Sequence, residues 1–247
     1  MNRGPTLHER YGALTSEQVA SLDRASVASG VDVAQLMEIA GFQVARCAWR
    51  RLGDRPGDIT VFAGSGNNGG DGAVAARLLA TWGCYVRLHA LLGDKPLEGL
   101  LAQHLKAAAA CGVEVMHQRN PAELSHTHAD LLIDAVLGTG LHSAPRSLAA
   151  AAIRFMRRWG APVLSIDVPS GLDATTGDAF DPCVTAATTC TLGAVKAGLW
   201  SAGAAPFTGK LVVADIGIPA AAWEACGLVR PALVAGGELL TVPAATE

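Results

Sequence analysis

At 247 residues, half of them hydrophobic, the chain can bury a substantial core, and it reads as a single domain over residues 1–247. Its net charge of −3 offers no electrostatic footprint for nucleic acid or an anionic membrane surface, which leaves small molecules and proteins as partners. Met1 to Arg10 holds no apolar segment of a secretory signal, no apolar run approaches a bilayer span, and the six cysteines lack C-x-x-C spacing, so the expectation is a cytoplasmic protein with free thiols.

In chain order, Thr15-Ser16-Glu17-Gln18 has the capping-box pattern that opens a helix, and Gly30 closes it. Asp32 caps a second helix, along which Leu36, Ala40, Val44 and Cys47 form one apolar stripe facing a core or a partner. Gly53, Pro56 and Gly57 then break the chain. Beyond them the pattern alternates: strand Ile59 to Ala63, helix Ala73 to Trp82, strand Tyr85 to Leu92, helix Leu97 to Ala110, and strand Val113 to Met116. Strand Leu131 to Val136, helix Leu148 to Trp159 and strand Val163 to Val168 follow, and the runs Thr188 to Leu192 and Leu211 to Ile216 extend the sheet. The tail after Pro219 receives no assignment. The strands are nearly continuous apolar runs, as expected when helices cover both faces, so the fold class is α/β with a parallel, doubly wound sheet.

In such a sheet ligands sit at the carboxyl ends of the strands. Three of these ends are polar and rich in glycine: Gly64 to Gly72, Asp134 to Gly140, and Asp167 to Asp173. They are expected to converge on one crevice. The first, Gly64-Ser65-Gly66-Asn67-Asn68-Gly69-Gly70-Asp71-Gly72, is expected to be a loop whose bare backbone approaches a ligand closely, with positive φ where needed, before a helix N-terminus that attracts anions. A Gly-rich βα turn with Asp71 as a helix-start charge is the plain alternative. The stretch satisfies G-x-G-x-x-G, but the acidic residue that holds a ribose after the next strand is missing, and no Gly-Lys-Ser/Thr is present. Asp134 and Asp167 either cap the following segments or face one crevice, where two carboxylates repel unless a proton or cation lies between them. A hard cation held by Asn68, Asp134 and Ser170 removes the conflict. Lys196 is either a phosphate partner in the crevice or a surface lysine. His126-Thr127-His128 reads as a solvated loop rather than a metal pair, and Asp173 and Asp178 as turn residues.

Asn67 to Gly72, Asp134 to Gly140, Asp167 to Leu172, the closing Ala214-Asp215-Ile216-Gly217-Ile218-Pro219, and Leu36-Met37-Glu38-Ile39-Ala40-Gly41 together resemble the NAD(P)H-hydrate epimerases, the YjeF N-terminal domain family. The resemblance spans about Leu14 to Pro219, leaving 220–247 unassigned. It implies a Rossmann-like three-layer αβα sandwich with a mostly parallel central sheet, a homodimer, and interconversion of the R and S epimers of hydrated NADH and NADPH in metabolite repair. By the same resemblance substrate contacts fall on Asn67, Asn68, Gly69, Gly70, Asp71, Gly138, Thr139, Gly140, Leu141, His142, Ser143, Ala144 and Asp167. Potassium, one ion per subunit, falls on Asn68, Asp134 and Ser170. Ile39 stands where relatives often carry a polar residue. No part of the sequence is long enough for the dehydratase domain fused in many relatives, so a dehydratase is expected on a separate polypeptide.

The epimerising carbon bears a hydroxyl beside the ring nitrogen, so loss of hydroxide or ring opening gives a planar intermediate that re-forms on either face. Asp167 is expected to be the acid/base, delivering a proton and stabilising the cation. The stripe from Leu36 to Cys47 is expected at or near the dimer contact. Two competing readings are a non-catalytic dimeric scaffold of the same fold and an ordinary NAD-dependent dehydrogenase. The retained Asn67, Asn68, Asp71, Asp134 and Asp167 speak against the first, the missing ribose acid against the second.

Overall fold

The computed structural model describes residues 6–94, 96–124, 128–231 and 239–243. Three capping boxes launch the N-terminal helices: Thr6 with Glu9 for α1 (Leu7–Tyr11), Thr15 with Gln18 for α2 (Ser16–Ala28), and Asp32 with Gln35 for α3 (Val33–Arg51). In each, two otherwise unpaired amides are satisfied reciprocally, so these short polar triggers fix where the helices begin.

From there strands and helices alternate: β1 (Asp58–Ala63), α4 (Asn67–Thr81), β2 (Tyr85–Leu91), α5 (Gly99–Ala110), β3 (Glu114–Gln118), β4 (Leu131–Ala135), α6 (Ser147–Trp159), β5 (Val163–Ile166) and β6 (Thr188–Leu192). A one-turn helix α7 (Ala205–Thr208), β7 (Lys210–Ala214), α8 (Ala220–Ala225) and β8 (Leu240–Thr241) complete the described chain. The strands form one sheet in the order β3-β2-β1-β4-β5-β6-β7-β8, parallel throughout except for the β7–β8 pair.

Strand residues alternate between two cores, which is why the strands read as unbroken apolar runs. Ile59, Val61, Ala63, Leu131, Ile133 and Ala135 pack under α3, α4 and α5. Phe62, Leu132 and Val163 pack on the other face with Ile153 and Met156 of α6. The expected three-layer sandwich is therefore the observed one. None of the helices among the described residues is long and apolar enough to cross a membrane, and all six cysteines are free thiols.

One expectation is corrected, and one unassigned segment finds its place. α4 starts at Asn67 rather than Ala73: Asn67 to Gly72 is its first turn and a half, not a loop. None of those glycines has positive φ; they are small because the helix is pressed against its surroundings. The tail beyond Pro219 contributes to the core, since Trp223 of α8 is buried with Leu14 and Leu22 of the N-terminal segment and β8 pairs with β7. Leu36, Ala40, Val44 and Cys47 are all buried within this chain. On α3 the exposed large apolar side chains are Ile39 and Phe42.

Candidate functional site

The strand order reverses between β1 and β4, where the connections leave in opposite directions and open a crevice at the carboxyl ends. A cavity of about 1190 Å³ occupies it. One end is walled by the β1–α4 and β4–α6 connections. The other runs under α2 and α3 to the ends of β5 and β6.

At the first end, Gly66 is the N-cap of α4 and supplies no side-chain cap, so the first amides of the helix are left for a ligand. Gly64 and Gly69 make this turn possible. A Cβ on Gly69 would lie 1.9 Å from the Gly64 carbonyl oxygen, and one on Gly64 would lie 2.0 Å from the Val136 carbonyl oxygen. Both obstacles are backbone, so neither can swing away. Gly69→Ala is expected to cost about 3 kcal/mol or more, at the top of the overpacking range, and circular-dichroism melting would show it.

Asp167 follows β5 with φ of +67°, a left-handed conformation that costs a non-glycine residue about 1 kcal/mol or more. Its amide is fixed by the Cys190 carbonyl at 2.8 Å. The buried carboxylate accepts on Oδ1 from the Lys196 ammonium, from the Leu192 amide (3.1 Å) and from the Thr191 hydroxyl (3.4 Å). Lys196, 1% exposed, also donates to the Leu192 carbonyl (2.7 Å) and Thr191 Oγ1 (3.2 Å), so three acceptors match its three N–H donors. Its backbone is strapped in place by a bridge to Leu14. Lys196 is thus neither a surface lysine nor a free phosphate arm.

Two more carboxyls line the same end. Asp71 projects from the second turn of α4, and Asp23 from α2. Burial pushes Asp71 well above the ordinary carboxyl range, with Asp167 and Asp23 adding repulsion and Lys196 opposing. Burial also raises Asp23. A raised carboxyl in the folded state keeps its proton where the unfolded chain has lost it, so the contribution is present at low pH and is lost as pH rises through the folded-state midpoint. Asp71→Asn removes that loss. The variant is expected to melt higher than the wild type at neutral and alkaline pH, with the gap closing toward about pH 4, as a pH series of thermal melts would record.

Behind the crevice floor Asp134, fully buried on β4, accepts from Ser165 Oγ (2.8 Å), the Ser170 amide (2.8 Å), Ser170 Oγ (2.5 Å) and the Val136 amide (3.3 Å). Burial raises its carboxyl, and these hydrogen bonds hold it down. Ser170 Oγ also lies 3.2 Å from the Leu137 carbonyl. Asn68 sits beside Gly138, and its Nδ2 is buried without a hydrogen-bond partner among the described residues.

The sequence profile described as YjeF-related protein N-terminus matches residues 33–198, more than half of the chain. The chain belongs to this family. Similar curated proteins include the bifunctional NAD(P)H-hydrate repair enzyme Nnr of Pyrobaculum aerophilum, 41% identical over 213 residues, which covers 84% of this chain and 42% of that protein. The Nnr enzyme of Moorella thermoacetica is 35% identical over 214 residues, covering 83% of this chain and 40% of that protein. The chain spans about two fifths of the length of these relatives. The crystal structure of yeast ynu0 superimposes with a TM-score of 0.78 at 22% identity, covering 93% of this chain and 99% of that one, and shares the fold.

Within this YjeF-related domain the three predicted strand ends do meet around one cavity. Asn67, Asn68, Asp71, Gly138, Thr139, Gly140, Leu141 and Asp167 line it. Gly69 and Gly70 do not: they face Gly64 and the Met37 sulfur, packing α4 rather than touching the cavity. His142, Ser143 and Ala144 are exposed outside it. Asp173 and Asp178 are turn residues, as expected, with Asp173 accepting from the Thr175 and Thr176 amides. Of the histidine pair, His128 is exposed beside Asp130 and His126 lies outside the described residues. Despite Ile39, α3 reaches the site through Leu36, Met37 and Ala40. Sequence reasoning missed Asp23, although it is one residue past Leu22 and four past Val19, on the inward face of α2.

Proposed function

We propose that this chain is an NAD(P)H-hydrate epimerase, interconverting the R and S forms of hydrated NADH and NADPH. The observation that carries this reading is a single cavity with two chemically distinct ends. An uncapped helix N-terminus suits a pyrophosphate. The opposite end, an apolar pocket floored by Asp71, Asp167 and Lys196, suits a neutral ring that turns cationic on losing its hydroxyl. The names of the similar repair enzymes agree with that substrate class. Asp167 serves as the carboxylate that stabilises the cation.

The side-chain oxygens of Asn68, Asp134 and Ser170, one of them a buried carboxylate, are the hard donors that a potassium ion takes. A bound ion would supply positive charge beneath the crevice and tie Asn68 to the floor. The protein acts as a cytoplasmic homodimer coupled to NAD(P)HX dehydration on another domain or chain. The test is relaxation of an unequal mixture of epimers, followed by chromatography, with and without protein. Acceleration supports the reading, and an unchanged relaxation rate overturns it in favour of a non-catalytic dimeric module.

A further inference from the structure

Asp23, Asp71 and Asp167 share the closed end of the cavity with one cation, Lys196. If all three were ionised the pocket would hold two uncompensated negative charges against Leu14, Leu22, Leu36 and Met37, an arrangement that expels charge by binding protons. The hydrogen bonds set the carboxyls apart. Asp167 receives only donors: an ammonium, a backbone amide and a hydroxyl converge on its Oδ1. An oxygen ringed by three donors acts as an acceptor, which suits a fixed counter-charge rather than a proton donor. Asp71 is the reverse case. The residue is 8% exposed and lines the cavity, and its carboxyl has no hydrogen-bond partner among the described residues.

We propose that Asp71 is the acid that delivers the proton to the departing hydroxyl, while the Asp167–Lys196 pair is the fixed counter-charge for the cation that forms. The inference rests on the epimerase reading and divides between two residues the role expected of Asp167 alone. In the forward step the Asp71 proton moves to the hydroxyl oxygen. The C–O bond breaks with its electron pair on oxygen, water departs, and the ring-nitrogen lone pair closes the C=N bond of an iminium. Asp71 is then a carboxylate. Water adds to the opposite face, the C=N π pair returns to nitrogen, the added water releases a proton to solvent, and Asp71 regains one from solvent. Atoms, charge and oxidation state all balance. Asp23 is a positioning residue: as a neighbouring acid it favours the protonated form of Asp71.

The groups facing Asp71 are Asp23 from α2, Asp167 after β5, and Lys196 after β6. The rate requires protonated Asp71, so kcat/KM falls as pH rises through the Asp71 midpoint. In Asp71→Asn, exchange falls about 100-fold or more and this alkaline limb disappears. In Asp23→Asn, activity at low pH persists while the limb moves to lower pH, because one repelling neighbour is gone. Carboxyl 13C NMR of Asp-labelled protein gives a readout independent of turnover: among the resonances that titrate above the ordinary range, one vanishes in Asp71→Asn and shifts downward in pH in Asp23→Asn. Wild-type exchange with Asp71→Asn within about threefold of it would overturn the assignment and leave the epimerase reading standing. A set of aspartate resonances that all titrate in the ordinary range would overturn it without any activity measurement. Wild type that fails to accelerate exchange, with the high-titrating resonance present, would sink the epimerase reading instead.

Discussion

Asp167→Asn is expected to abolish epimer exchange and to cost about 3–5 kcal/mol of stability, the range for leaving one member of a buried ion pair without its partner. The cause is Lys196. It is 1% exposed, and its charge is balanced by the carboxylate that the substitution removes. A single loss of activity would therefore be ambiguous, because the variant could fail through its fold. The double variant Asp167→Asn/Lys196→Met separates the two effects. It replaces a buried pair by an amide and an apolar side chain of similar length, and such exchanges are often neutral or stabilising. Thermal melting should recover to within about 1 kcal/mol of wild type, while exchange should stay lost, since the counter-charge for the iminium is gone. Recovery of exchange along with stability would show that Asp167 matters only as a partner for Lys196.

The order of elements was open to a sequence reader because the two-sided burial of the sheet writes itself as apolar runs, and because Thr15, Asp32 and Gly30 mark helix ends chemically. The convergence of the Gly64, Asp134 and Asp167 segments followed from the same periodicity, since each begins where a strand stops. What escaped has a common physical origin. The start of α4 was hidden because Asn-Asn-Gly-Gly-Asp-Gly has poor intrinsic helix propensity, and tertiary contact with Gly64, Met37 and Ala135 overrides it. Lys196 was undecidable because its burial depends on an ion pair with a residue 29 positions away. Asp23 looked like any acid on an amphipathic helix, and only the closure of α2 over the ends of β5 and β6 turns it inward. Local chemistry is written locally; the charge balance of the pocket is a property of the assembled fold.

Potassium is expected to stabilise the wild-type protein, and choline substituted at equal ionic strength should not. At a concentration 100 times its dissociation constant a ligand bound only to the folded state adds about 2.7 kcal/mol. For a domain of this size that corresponds to a rise of roughly 5–10 °C in the melting midpoint. Asp134→Asn should remove the response and lower the midpoint in choline as well. The second effect needs no ion: Asn can accept through one oxygen where the carboxylate now takes four donors through two, so buried donors from Ser165, Ser170 or Val136 lose their partner. Asn68→Ala distinguishes the floor from the ion. Among the described residues Asn68 has no hydrogen bond to lose at its Nδ2, so truncation should leave stability in choline close to wild type and reduce only the potassium increment. Equal melting of wild type in potassium and in choline would mean that Asp134 and Ser170 are a closed hydrogen-bonded support for the β4 and β5 ends, with its negative charge balanced by donors alone.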